Sequence, residues 1–178
     1  ILTSAGAQFV TPLSLAALAE DKVYSELFSL TDEAEMGHIQ LSRSADLVVV
    51  APATADLMAK AAHGLAGDLA STTLLATDKP VLMAPAMNVR MWEHAATKRN
   101  LATLKADGVA FVGPDDGAMA CGEYGPGRMA EPAAIFEAIM GMLAGRAAPA
   151  AAQGPLAGRR AIVTAGPTAE PIDPVRYL

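Results

Sequence analysis

The sequence predicts an α/β fold in which a parallel sheet is covered by helices on both faces. Residues 46–51 read DLVVVA and residues 81–87 read VLMAPAM. Short, uninterrupted apolar runs of this kind suit strands buried on both sides, whereas a sheet with one wet face alternates apolar and polar residues. Segments of helical length separate the runs, and strands alternating with helices make βαβ units.

Residues 1–4, ILTS, read as the tail of a strand with no element before it. A helix is expected over residues 12–19, with Pro12 in its first turn, where a missing N–H costs nothing. The run at 46–51 ends at Pro52 and gives the first full strand. Two helices follow, over residues 55–63 and 67–77, with Gly64-Leu65-Ala66-Gly67 as the break between them. The second strand runs through Met87, and a helix over 94–107 is stopped by Gly108. Residues 109–112 make a third strand, residues 115–128 a glycine-dense loop, and residues 132–144 a last helix. The stretch GRAAPAAAQGP then reads as a linker, and RAIVTA at 160–165 as a strand opening a new domain. The expected division is therefore a domain over 1–145, a linker over 146–157 and the start of a second domain over 158–178. Aromatics make up only 4% of a chain that is 52% hydrophobic, so the core is mostly Ala, Leu, Val and Met, as close-packed layers require. The fold class is a three-layer, Rossmann-like (flavodoxin-like) α/β sheet, whose ligands bind beyond the carboxyl ends of the strands.

A net charge of −6 argues against a nucleic-acid groove or an anionic membrane surface. No apolar run reaches the ~20 residues that span a bilayer, and no secretory signal is visible. Cys121 is the single cysteine, so no internal disulfide can form, and a lone thiol fits a reducing, cytoplasmic setting. None of the three histidines is spaced from another as metal ligands are, so no metal site is expected.

Three residues stand out chemically. His38, in MGHIQL, is either a capping or surface histidine or a general base near the mouth of the sheet. Asn88 follows a strand through Pro-Ala-Met. It either caps the next turn or uses its amide, both donor and acceptor, to hold a carboxylate or a flavin edge. Cys121 lies in GAMACGEYGPGRM, a setting better suited to a proton donor or nucleophile than to a core thiol. His63 and His94 read as structural or solvent-facing. The string GEYGPG has the wrong glycine spacing for a dinucleotide fingerprint, and there is no P-loop.

Four motifs in order resemble those of the homo-oligomeric flavin-containing cysteine decarboxylases. His38 within MGHIQLSR resembles the family's active-site histidine motif, and residues 51–72, APATADLMAKAAHGLAGDLAST, its flavin-binding segment. PAMNVRMW at 85–92 matches its P-x-M-N-x-x-M-W signature, and ACGE with Gly125, Gly127, Arg128 and Met129 its cysteine-bearing loop. The tail TAGPTAEPIDPVR resembles the opening of phosphopantothenate–cysteine ligases, which occur fused to such decarboxylases in coenzyme A synthesis.

The resemblance implies an FMN-dependent enzyme that decarboxylates 4'-phosphopantothenoylcysteine to 4'-phosphopantetheine. His38, Asn88 and Cys121 are then catalytic, with Cys121 donating the final proton. Phe9, Thr54, Ala55, Asp56 and Ala86 fall at flavin-contact positions, and Asn88, Met119, Ala120 and Arg128 at substrate positions. A trimer, or a multiple of trimers, with flavin sites shared between subunits is also implied. Mg and CTP are implied only for the ligase part. The sequence departs from the family at Asp56, where Asn is usual, and at Gly67, where an acidic residue is common. The family's first strand and its glycine-rich turn, which hold part of the flavin phosphate, have no counterpart before Ile1. A chain starting there is expected to bind flavin poorly. The alternatives are a peptidyl-cysteine decarboxylase, which lacks the reducing cysteine, a non-catalytic regulatory relative, which tends to lose one of the three residues, and a flavin prenyltransferase, to which the PAMNVRMW and ACGEYGPGRM strings do not belong.

Overall fold

The computed structural model describes residues 1–27, 38–119, 122–145, 161–164, 171–173 and 176–177. The expected linker and most of the expected second domain, Ala120 and Cys121 lie outside the described residues, as does the side chain of His38.

Strands β1 (Leu47–Ala53), β2 (Val81–Pro85) and β3 (Ala110–Phe111) are parallel neighbours, in the order β3-β2-β1. A further strand, β6 (Ala161–Thr164), pairs parallel with β1 on its other side, Leu47 opposite Ala161. It lies in the stretch expected to open a second domain. The alternation of side chains along a strand divides β1 and β2 between two cores. On one face Val50 and Met83 meet Met58, Trp92 and Leu104. On the other, Leu47, Val49, Leu82 and Ala84 meet Ile135 and Leu143.

Helices α3 (Ala55–Ala62), α4 (Leu69–Ala76), α5 (Val89–Glu93) and α6 (Ala95–Ala106) supply the first face, and α7 (Pro132–Ala144) the second. Two further helices precede β1: α1 (Pro12–Ala19) and α2 (His38–Ser44). The three-layer α/β arrangement expected from sequence is therefore present. Helices α1 and α7 run over the residues expected. Gly108 stops α6 at a φ of +89°, where a side chain would be strained.

Three readings need correction. Strand β1 continues through Pro52 to Ala53, with a register shift between Val50 and Ala53 that carries the strand past the proline. The second strand stops at Pro85 rather than Met87, and the short helix α5 follows, capped by Asn88. The glycine-dense loop is an antiparallel hairpin of β4 (Asp115–Ala118) and β5 (Tyr124–Arg128), with Gly117 opposite Gly125. Glycine composition suggested a loop, but here the glycines let a strand lie against backbone. The Met87 N–H donates to the Gly127 carbonyl at 2.9 Å. Gly127 has φ +145°, and a Cβ there would collide with the Met87 carbonyl oxygen. A Cβ on Gly125 would come within 2.9 Å of Val89 Cγ2.

Gly127→Ala is expected to cost about 2 kcal/mol or more in urea denaturation, because both the collision and the backbone conformation oppose it. Gly141→Ala, inside α7 with open space around its would-be Cβ, should instead gain about 0.5–1 kcal/mol.

Candidate functional site

The carboxyl ends of β1 and β2 are tied together by the Ala86 N–H, which donates to the Ala53 carbonyl at 3.1 Å. Two groups of side chains gather there. The first lines a cleft of about 500 Å3 between residues 1–5, the end of β1 and the starts of α3 and α4. Leu2, Leu57 and Leu69 form an apolar wall, and Thr3, Ser4 and Thr54 bring hydroxyls. Thr54 also caps α3, its Oγ1 accepting from the Leu57 N–H at 3.3 Å.

Asp56, Lys60 and Asp68 form a chain at the cleft's edge. Lys60 Nζ lies 2.9 Å from Asp56 Oδ2 and 3.0 Å from Asp68 Oδ2. These two carboxylates raise the Lys60 ammonium above its ordinary pKa. Burial pushes the Asp68 carboxyl up, but the Ser71 N–H, the Lys60 ammonium and the Ser71 hydroxyl together hold it below its ordinary value. Asp68 caps α4 reciprocally: Ser71 N–H donates to Asp68 Oδ1 at 2.8 Å, and the Asp68 N–H to Ser71 Oγ at 3.1 Å. The two departures from the family pattern thus have local settings. Asp56 is an ion-pair partner one helical turn from Lys60, and Gly67 lines the cleft with nothing within 4 Å of its would-be Cβ.

The second group surrounds Asn88, which caps the next turn, one of the two roles its sequence position allowed. Its Oδ1 accepts from the Arg90 N–H at 2.7 Å, capping α5, and its Nδ2 donates to Glu123 Oε2 at 2.6 Å. Arg90 Nε reaches Glu123 Oε1 at 3.3 Å. Glu123 sits at the hairpin's turn, where its carbonyl accepts from Met119 N–H at 2.8 Å, while Gly122 N–H donates to the Met119 carbonyl at 2.9 Å.

Other predicted positions fall as follows. Asp56 and Thr54 line the cleft. Ala55 opens α3, and Ala86 is buried between the strand ends. Phe9 follows the short turn Gly6–Gln8, is 46% exposed and is absent from the cleft's lining. Arg128 pairs with Glu131 at 2.6 Å on the hairpin's far strand. His38 opens α2. His63 and His94 are exposed and make local contacts: His63 Nδ1 meets the Ala59 carbonyl at 2.9 Å, and His94 Nδ1 accepts from Ala96 N–H at 3.2 Å. Among the described residues no cluster could hold a metal ion, and no helix is long and apolar enough to cross a membrane.

Sequence reasoning missed Thr3, Ser4, Lys60 and Asp68 in the cleft and the partners Arg90 and Glu123. Lys60 was within reach, since it stands four residues after Asp56, and Asp68-x-x-Ser71 is a recognisable capping pattern. Glu123 meets Asn88 across 35 positions, and no local pattern announces that contact.

The flavoprotein family model matches residues 1–144. The chain belongs to the flavoprotein family. After this flavoprotein domain, residues 156–178 match the C-terminal domain of DNA/pantothenate metabolism flavoproteins. The chain is 47% identical to the coenzyme A biosynthesis bifunctional protein CoaBC of Escherichia coli K12 over 177 residues, which is 99% of this chain and 42% of that protein. It spans less than half the length of the curated relatives it matches. Among solved structures, the FMN binding protein AtHal3 superposes with a TM-score of 0.71 at 34% identity, over 83% of this chain and 82% of that one. A cysteine-to-serine mutant of PPC decarboxylase complexed with pantothenoylaminoethenethiol gives 0.63 at 33% identity, over 78% and 79% of the two chains.

Asp68→Asn keeps a good helix cap but removes the charge that Lys60 faces. Because the Asp68 pKa is depressed in the folded state, its contribution is present above the ordinary carboxylate value of 3.8 and is lost as pH falls through the lower, folded value. In urea melts the wild type should exceed Asp68→Asn by at most about 1 kcal/mol at neutral pH. That gap should close only in strong acid.

Proposed function

We propose that this chain is the decarboxylase part of an enzyme that converts 4'-phosphopantothenoylcysteine to 4'-phosphopantetheine with FMN, and that residues 158–178 begin a phosphopantothenate–cysteine ligase. The observation that carries the reading is the docking of the Gly125–Gly127 backbone on Met87–Val89. It sets the Asn88 amide beside Glu123, two positions after Cys121 in sequence, at the carboxyl ends of the strands. The two family matches, over 1–144 and 156–178, support the division into two parts joined by a linker over 146–157.

The donor set of the cleft suits FMN. A planar, largely apolar ring is served by Leu2, Leu57 and Leu69, and a ribityl chain by the hydroxyls of Thr3, Ser4 and Thr54. Lys60, the one lysine or arginine among the described residues of the lining, is already matched by two carboxylates, so the site suits the ring and sugar alcohol better than the phosphate. When bound, FMN supplies a two-electron acceptor and donor. The net reaction replaces a carboxylate by a proton: a C–C bond breaks to release CO2 and a C–H bond forms. Asn88 Nδ2 donates to the leaving carboxylate and fixes its orientation. His38 acts as a general base on the substrate. The Cys121 thiol delivers the new proton to carbon. Arg128 and Met119 flank the substrate from the hairpin, and Ala120 is the remaining substrate position. The lone thiol fits a reducing cytoplasm.

Cys121→Ser should release CO2 yet leave the enethiol, two hydrogens lighter than 4'-phosphopantetheine, at no more than one equivalent per FMN when oxygen is excluded, because the two electrons stay with the flavin. His38→Asn should abolish turnover. Mass spectrometry of the products reads both, and full amounts of saturated product from either variant would sink the assignment of that residue.

A homotrimer, or a multiple of one, is part of the same reading. Helix α1 is PLSLAALA and buries no residue, and Leu13 and Leu18 are 79% and 82% exposed. Apolar side chains grouped so openly on one helix favour cover by another subunit. Leu18→Glu should dissociate the oligomer in sedimentation analysis while leaving the fold's circular dichroism unchanged; an unaltered assembly would remove α1 from the interface.

A further inference from the structure

The Glu123 carboxylate holds two donors at the place where the proposed reaction puts a substrate carboxylate. Oε2 accepts from Asn88 Nδ2 at 2.6 Å and Oε1 faces Arg90 Nε at 3.3 Å. Both donors come from the cap and first turn of α5, and the acceptor comes from the turn of the hairpin. Donors arranged to grip one carboxylate grip another equally well, because a glutamate side chain and a ligand carboxylate present the same pair of oxygens. We propose that Glu123 is an internal stand-in for the substrate's carboxylate, and that an incoming carboxylate displaces it from Asn88 and Arg90. This rests on the decarboxylase reading above.

Two features make the exchange physically easy. The Glu123 side chain is 35% exposed and that of Arg90 is 82% exposed, and ion pairs so open to water contribute little. The backbone of Glu123 is held independently, through the Met119 N–H, so its side chain can leave Asn88 without undoing the turn. The exchange also distinguishes substrate from product. Substrate carries a carboxylate and can keep Glu123 away, whereas product has lost it as CO2 and cannot. Glu123 therefore weakens the hold on substrate and leaves the hold on product unchanged.

The test uses the FMN-loaded protein and two ligands. One is 4'-phosphopantothenoylserine, which keeps the carboxylate but has a hydroxyl in place of the thiol; the other is 4'-phosphopantetheine. Calorimetric titration of wild type and Glu123→Gln should show the serine analogue binding about three- to tenfold tighter to the variant, with the internal competitor weakened. The affinity for 4'-phosphopantetheine should not move. Glu123→Asp, whose shorter side chain reaches Asn88 less well, should shift affinities in the same direction and serves if the Gln variant folds poorly. Equal changes for both ligands, no change for either, or weaker binding of the serine analogue would overturn the proposal. Wild-type protein that releases no CO2 from 4'-phosphopantothenoylcysteine would remove the decarboxylase reading and the exchange together. Normal CO2 release with unshifted affinities removes the exchange alone.

Discussion

Most of what is distinctive in this domain depends on one backbone contact. The Met87 N–H bonds to the Gly127 carbonyl, and the absence of a side chain at Gly127 lets the two backbones approach so closely. An antiparallel hairpin thereby joins a parallel sheet at its carboxyl edge without becoming part of it. Asn88 lies next to Met87 in sequence and Glu123 begins the turn side of the same hairpin, so this contact also brings the Asn88–Glu123 bond within range. Any side chain at 127 would push the hairpin outward, and the polar pair would separate. The glycines of this segment are therefore packing residues in the strict sense: they are chosen for the volume they lack.

The cleft has a different kind of support. Its walls come from four separate stretches of chain, and the Lys60 ammonium joins two of them, being shared between Asp56 on its own helix and Asp68 at the start of the next. A single cation between two carboxylates leaves a net negative edge. That suits hydroxyl-rich or neutral ligand parts and disfavours an additional anion nearby. The capping box at Asp68 and Ser71 then holds the second carboxylate in place through the backbone of α4. Geometry is set here by local hydrogen bonds rather than by the sheet, and its energetic weight is correspondingly modest.

What was legible in the sequence followed the range of the interactions involved. Helices α1 and α7 and the core of β1 were readable because capping, periodicity and apolar runs are local. The end of β1 was misjudged at Pro52, since a proline in a strand normally ends it, and a register shift accommodates this one. The hairpin was read as a loop because strand pairing between 115–118 and 124–128 leaves little trace in a segment of four glycines, with few side chains to alternate. Position after a strand and within a glycine-rich segment marked Asn88 and Cys121, and motif resemblance added their expected roles. It named the residues without their partners: the pairing of Asn88 with Glu123 is a product of tertiary structure.

The identity of residue 88 follows from two simultaneous demands. Its Oδ1 accepts from the Arg90 N–H, so the amide cannot be turned over without setting two donors against each other. That bond fixes Nδ2 as the face presented to Glu123. Aspartate would cap α5 as well, since both residues are good caps, but it would present a second anion to Glu123 and to any carboxylate ligand. Glutamine would offer the donor, but its longer side chain fits the cap poorly. Only an asparagine at this position both starts the helix and offers an N–H donor to a carboxylate. The structural and the proposed chemical roles of Asn88 are therefore two ends of one rigid amide, and a substitution that spared one would still disturb the other.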